Sequence, residues 1–152
     1  MQDRSLPQLD DLYKEIILEH YRSPHGRIPL TKVDYHAEGM NPLCGDEVKL
    51  GIKLKDRKIV RVHIESHGCS ISVASSSMLA DILKGKTIQE AKNISQHLKN
   101  IMQDKTNGKN IDIGDLEALE GVKKFPVRIK CALLPWTTFE EALIGHEHVE
   151  IS

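Results

Sequence analysis

The run VKLGIKLKDRKIVRVHIE, residues 48–65, decides how the rest of the chain is arranged. Val48, Leu50, Ile52 and Leu54 alternate with polar residues and Gly51. Val60, Val62 and Ile64 then alternate with Arg61, His63 and Glu65. A period of two marks strands buried on one face. Lys55-Asp56-Arg57-Lys58 between them is a short polar turn, so the two strands form an antiparallel hairpin. His63 falls on the polar face and is read as solvated. The entry to the first strand and the exit of the second must lie at one end of the sheet. NPLCGDE (41–47) leads in and SHGC (66–69) leads out, so Cys44 and Cys69 are expected to be neighbours.

Upstream, Leu9, Leu12, Tyr13, Ile16, Ile17 and His20 recur at helical spacing. They predict an amphipathic helix from about Pro7 to Tyr21, with Asp10 and Asp11 near its positive end and His20 packed rather than ligating. Thr31 to Gly39, with Val33 and Tyr35, reads as a short extended piece. Downstream, SISVASSSMLADILKG (70–85) predicts a helix with Ile71, Ser75, Met78, Leu79 and Ile82 on one face and Gly85 as its C-terminal cap. Its serines are small residues for close packing; no glycine-flanked nucleophile elbow accompanies them. Thr87 and Glu90 form a capping box opening a third helix through Ala91, Ile94, Leu98 and Ile101. Asp104 to Gly114 is a polar connection and Asp115 to Leu119 a short helical turn. From Phe125-Pro126 a last helix carries Val127, Cys131, Leu134, Phe139, Ala142 and Leu143. Pro135, lacking an N–H, is expected to kink or split it. The polar tail from about residue 146, with His146 and His148, reads as a frayed end. Strands followed by helices indicate an α+β fold, a small antiparallel sheet covered on one face by helices, in one domain over residues 1–152.

The composition is that of an ordinary globular protein: 39% hydrophobic, 28% charged, net charge −1. No basic excess and few aromatic residues argue against nucleic-acid binding. The N-terminus carries acids where a signal peptide has positive charge, and no apolar run approaches a membrane span. A cytoplasmic setting is expected, where thiols stay reduced. Three cysteines without a CxxC pair then point to metal binding or thiol chemistry, or to small buried apolar residues.

Cys69 falls at a helix N-terminus, which favours a thiolate. Asp46 follows Cys44 by two residues across Gly45, so one turn can aim both side chains at one centre. Two thiolates and a carboxylate make a partial zinc site, and Cys131 in the last helix is the candidate to close it. Three thiolates and a carboxylate leave excess negative charge on zinc; Arg128, three residues before Cys131 on the same side of the helix, is the candidate to offset it. Spacing alone leaves two readings open, a shared metal or thiol site and three unrelated cysteines. A solvated Arg128 is equally open.

NPLCGDEVKLGIKL (41–54), HGCSISVASSSMLADILKGKTIQEA (67–91), FPVRIKCALLPW (125–136) and the opening LDDLYKEIILEHYRSPHG (9–26) resemble the SufU branch of the NifU/IscU-like iron–sulfur cluster assembly proteins. The resemblance spans about Leu9 to Leu143. It implies an α+β sandwich and a zinc site of Cys44, Asp46, Cys69 and Cys131. It further implies a sulfurtransferase in which Cys44 accepts persulfide sulfur from a SufS-type cysteine desulfurase and passes it to a downstream assembly scaffold or other acceptor. The related IscU type is a scaffold holding a transient iron–sulfur cluster. That type carries histidine just before its last cysteine, where this chain has Lys130, and lacks a stretch as long as QDKTNGKNIDIGDLEALEG (103–121). Both features resemble SufU. The implied chemistry requires Cys44 to leave the metal when it acts, which a turn permits more readily than a helix.

Overall fold

The computed structural model describes residues 11–29, 32–105 and 111–151. Helix α1 (Asp11–Arg22) precedes strands β1 (Tyr35–Asn41), β2 (Asp46–Lys55) and β3 (Lys58–His67). Helices α2 (Ser70–Leu83) and α3 (Ile88–Met102) follow, then a 3₁₀ helix (Gly114–Lys124), α4 (Pro126–Leu143) and strand β4 (His148–Glu150). The expected start of α1 at Pro7 to Asp10, and part of the polar connection after Asp104, lie outside the described residues.

The hairpin forms as expected, in an α+β fold. Asp56 and Arg57 both adopt positive φ (53° and 67°), the conformation of a two-residue turn that matches strand twist. Lys55 pairs with Lys58, but the register shifts after Leu54–Ile59, and Lys53 pairs with Arg61. Val60 is therefore the extra residue of a bulge, and Ile59, not Val60, enters the core. Simple alternation missed this because the tight turn fixes pairing from one end and the core face from the other. His63 is half-buried rather than solvated, with Nδ1 hydrogen-bonded to the Ile28 carbonyl.

The sheet order is β3-β2-β1-β4, with the first three strands antiparallel. The tail expected to fray instead adds β4 parallel to β1. Three residues are too few to show a period, and β1's open edge supplies the partner. The helices lie on one face. Val48, Leu50 and Ile52 of β2 and Val62 and Ile64 of β3 point into the core, with Lys49, Gly51 and His63 between them.

Helix α2 is buried on nearly every side, not along one stripe. It packs between the sheet, α1 and α4, and its serines satisfy neighbours' backbones. Ser75 Oγ donates to the Ala132 carbonyl (2.6 Å) and accepts the Trp136 indole N–H (3.1 Å). Conversely, two residues assigned to apolar faces are exposed: Leu12 of α1 (66%) and Val127 of α4 (63%). Thr87 and Glu90 cap α3 reciprocally. Helix α4 runs through Pro135 without splitting. The backbone bond that Pro135 cannot make is the one to the carbonyl of Cys131, four residues earlier. Buried packing of Leu134, Trp136 and Phe139 holds the helix together across that gap.

Candidate metal centre

The three cysteines come from a turn, a helix start and a helix interior. The β1–β2 turn closes when the N–H groups of Cys44 and Gly45 donate to the Asn41 carbonyl (3.3 and 2.9 Å). Gly45 at φ 71° allows the chain to reverse there, so that Asp46 pairs back with Asn41. β3 ends beside this turn, Glu47 pairing with His67, and Cys69 follows as the N-cap of α2. Cys131 lies one turn and a half into α4.

These placements bring all four expected residues together. One ligand atom each of Cys44, Asp46 and Cys131 lies within 4.8 Å of the others. The Cys131 and Cys44 sulfurs are 3.5 Å apart. Cys69 joins through Asp46: its N–H donates to Asp46 Oδ1 at 2.8 Å, and its Sγ is 3.6 Å from Asp46 Oδ2. Asp46 and Cys131 are fully buried, whereas Cys44 and Cys69 are partly exposed.

The electrostatics are uneven. A hydrogen bond with Cys131 brings the Cys69 thiol down to about 7; burial opposes this and the Ser72 backbone N–H assists. Cys131 is pushed up, first by that same bond with Cys69 and then by burial. Of the two, Cys69 is the thiol held toward its ionised form and Cys131 the one held toward its neutral form. Arg128 belongs to the cluster. Burial lowers its guanidinium, but hydrogen bonding to Cys131 and the charges of Cys69, Cys131 and Cys44 raise it more.

Two further residues build the site. Gly68 sits at φ 136°, and a Cβ there would lie 2.1 Å from Asp46 Oδ1. Only glycine lets the link from β3 to α2 pass that close to the carboxylate. Ser72 places its hydroxyl 3.9 Å from Cys69 Sγ. The glycine directly before a cysteine N-cap was the available signal for Gly68; nothing in the sequence pattern singled out Ser72.

The donor chemistry fits zinc: three thiols and one carboxylate, two of the four donors buried. A second group, His20, His25 and Asp81, has comparable spacing. Here His20 is engaged at both ring nitrogens by residues outside the group. His20 Nδ1 bonds Ser77 Oγ (2.7 Å) and Nε2 bonds Asp115 Oδ2 (2.8 Å), while His25 Nδ1 bonds Asp81 (2.6 Å). His20 is thus a packed, satisfied histidine, as its place on the helix led us to expect.

Fold and cluster together define a class: an α+β protein with three thiols and a buried carboxylate gathered at one sheet end. The chain belongs to the NifU-like N terminal domain family, whose model matches residues 12–132. It is 42% identical over 142 residues to the zinc-dependent sulfurtransferase SufU of Bacillus subtilis, covering 91% of this chain and 94% of that one. It is 36% identical over 139 residues to the iron–sulfur cluster assembly scaffold protein IscU of Streptococcus pyogenes, covering 91% and 87%. Among solved structures it resembles FiSufU of Fervidobacterium islandicum AW-1, named as a candidate assembly scaffold for the SUF system. That match has a TM-score of 0.79 and 36% identity over 85% of this chain and 94% of that one.

Proposed function

We propose that this chain is a zinc-dependent sulfurtransferase of iron–sulfur cluster assembly, working in the cytoplasm. In this reading Cys44, Asp46, Cys69 and Cys131 hold the zinc, and Cys44 accepts sulfur from a SufS-type cysteine desulfurase. The observation that carries it is an asymmetry among the sulfurs. Cys131 is sealed in a helix and Cys69 is tied to a helix start. Cys44 sits on a turn, partly exposed, with Pro42 and Leu43 in solvent beside it. Similarity to SufU of B. subtilis supports zinc and sulfur transfer.

Zinc, when bound, supplies positive charge that keeps the thiols deprotonated near neutral pH. The chain's own groups do the rest. The Cys44 thiolate attacks the outer sulfur of the desulfurase's cysteine persulfide. That S–S bond breaks, the desulfurase thiolate leaves with the electron pair, and Cys44 becomes the persulfide. Asp46, fixed by the Cys69 N–H, and Arg128, beside Cys131, hold the remaining groups in place while Cys44 moves. The sulfur then passes to a downstream assembly scaffold or other acceptor thiol.

Scaffolding of an iron–sulfur cluster is the second reading, supported by similarity to IscU of S. pyogenes. Lys130 beside Cys131 argues against it, since an ammonium cannot serve as a neutral imidazole ligand to iron. The test is to purify the chain without added iron, measure zinc, and follow desulfurase turnover with labelled cysteine. Zinc bound, turnover stimulated and label on Cys44 is the expected result. With Cys44→Ser, zinc is partly retained and sulfur uptake falls to background. Reconstitution of a coloured, oxygen-sensitive cluster in high yield, without sulfur on Cys44, overturns the reading in favour of the scaffold.

A further inference from the structure

Asn41 closes β1 beside the cluster and is fully buried. Its acceptors are busy. The carbonyl takes the N–H groups of Cys44 and Gly45, and Oδ1 takes the Leu43 N–H at 3.2 Å. Its donor is not. Among the described residues, Asn41 Nδ2 is the buried side-chain nitrogen or oxygen with no partner. Such an orphan is costly, and in a natural protein it calls for an explanation. Because Oδ1 is fixed by Leu43, the amide cannot be turned round to hide Nδ2. Asn41 is also the cross-strand partner of Asp46, and both face the buried side of the sheet, three residues before Cys44.

The four expected ligands form a complementary pattern. Asp46 Oδ1 accepts the Cys69 N–H. Cys69 is served by the Ser72 backbone and hydroxyl. Cys131 is served by Arg128. Among the described residues, the Cys44 sulfur has the Cys131 thiol as its hydrogen-bond partner, at 3.5 Å. That donor disappears when Cys131 loses its proton to bind metal. The loaded site would then hold one ligand sulfur without a donor, in the same turn as one buried amide without an acceptor. The charge points the same way, since three thiolates and a carboxylate exceed the charge of Zn²⁺ and need N–H groups around them.

We propose that Asn41 is a positioning residue for Cys44, its Nδ2–H donating to the Cys44 thiolate once the site holds metal. This rests on the zinc site of the preceding section. The N–H···S bond would hold the sulfur at the metal and draw charge from it, so Asn41 sets how readily the mobile ligand lets go.

The test uses the full chain with Asn41→Asp, which keeps the turn acceptor and removes the donor, and Asn41→Leu, which removes both. Zinc affinity is measured by chelator competition. Cobalt(II) loading reports thiolate-to-metal charge transfer, and the melting temperature of the metal-free chain reports folding. Zinc affinity is expected to fall about tenfold or more in both variants, in the range for lost outer-sphere partners. The charge-transfer band is expected to move to lower energy, because a thiolate without its donor is easier to oxidise. A purely structural Asn41 predicts a different result: affinity and metal-free melting temperature fall together while the band stays put, and that outcome overturns the proposal. If the unsubstituted chain binds neither zinc nor cobalt, the zinc site and this inference fall together. If it binds metal and the band does not move in either variant, the inference alone fails.

Discussion

Two clusters in this molecule place metal-ligating side chains within the same short reach, and they are chemically opposite. At His20, His25 and Asp81, both ring nitrogens of His20 are taken from outside the group, by Ser77 and Asp115, and His25 Nδ1 is bonded to Asp81. At Cys44, Asp46, Cys69 and Cys131, the thiols also contact one another, Cys131 with Cys44 at 3.5 Å and Cys69 with Cys131. Proximity of donors therefore does not distinguish a clasp from a centre. The distinguishing property is whether the donors remain available after the protein has folded.

The comparison can be broken at several points. The largest effect is expected from Asp46→Asn, which removes the buried carboxylate between Cys69 and the other thiols. Zinc should be lost on dialysis while the chain stays folded by circular dichroism. Retention of full zinc after this change would show that the cluster is no more a centre than the histidine group. Gly68→Ala comes next. The new methyl would collide with Asp46 in a backbone conformation that alanine resists, a destabilisation of roughly 2 kcal/mol or more. Chemical denaturation should show the stability loss, and zinc analysis a weakened site.

On the other side, His20→Ala removes two hydrogen bonds and leaves a cavity between α1, α2 and the 3₁₀ helix. A loss of about 2–4 kcal/mol is expected in urea unfolding, with zinc content unchanged. A drop in zinc would mean the two clusters are coupled. The smallest effect is a titration. In metal-free protein the Cys69 thiol, held down to about 7 chiefly by Cys131, should become reactive to alkylating agents as pH rises through that value. Its pKa is depressed, so the stability it contributes is full above the ordinary thiol range and is lost as pH falls through about 7. Cys131→Ala, which removes the donor, should shift the reactivity profile upward; an unchanged profile would leave helix position as the cause.

Much of this arrangement was legible in the sequence. Period-two alternation in residues 48–65 gave the hairpin, and antiparallel pairing alone placed Cys44 beside Cys69. The capping box at Thr87 and the position of Gly85 fixed the helix boundaries around them. These are local signals, set by neighbours a few residues apart. The misreadings share a different origin. Val60 gave way to Ile59 because a bulge between two distant constraints is not a local property. Val149 and its neighbours became a strand because β1 had an open edge waiting on the far side of the fold.

The sequence by itself determined the hairpin, the α+β class and the meeting of one thiol, one carboxylate and a second thiol at a sheet end. The reason is that strand periodicity and turn chemistry act over a few residues. Only the tertiary structure decided that α4 brings Cys131 to within 3.5 Å of Cys44 and Arg128 to the same cluster. It also decided that the link after β3 passes Asp46 so closely that residue 68 must be glycine, and that Asn41 is buried with an unspent donor. Docking and hydrogen-bond satisfaction depend on every element at once, and no window of the sequence contains them.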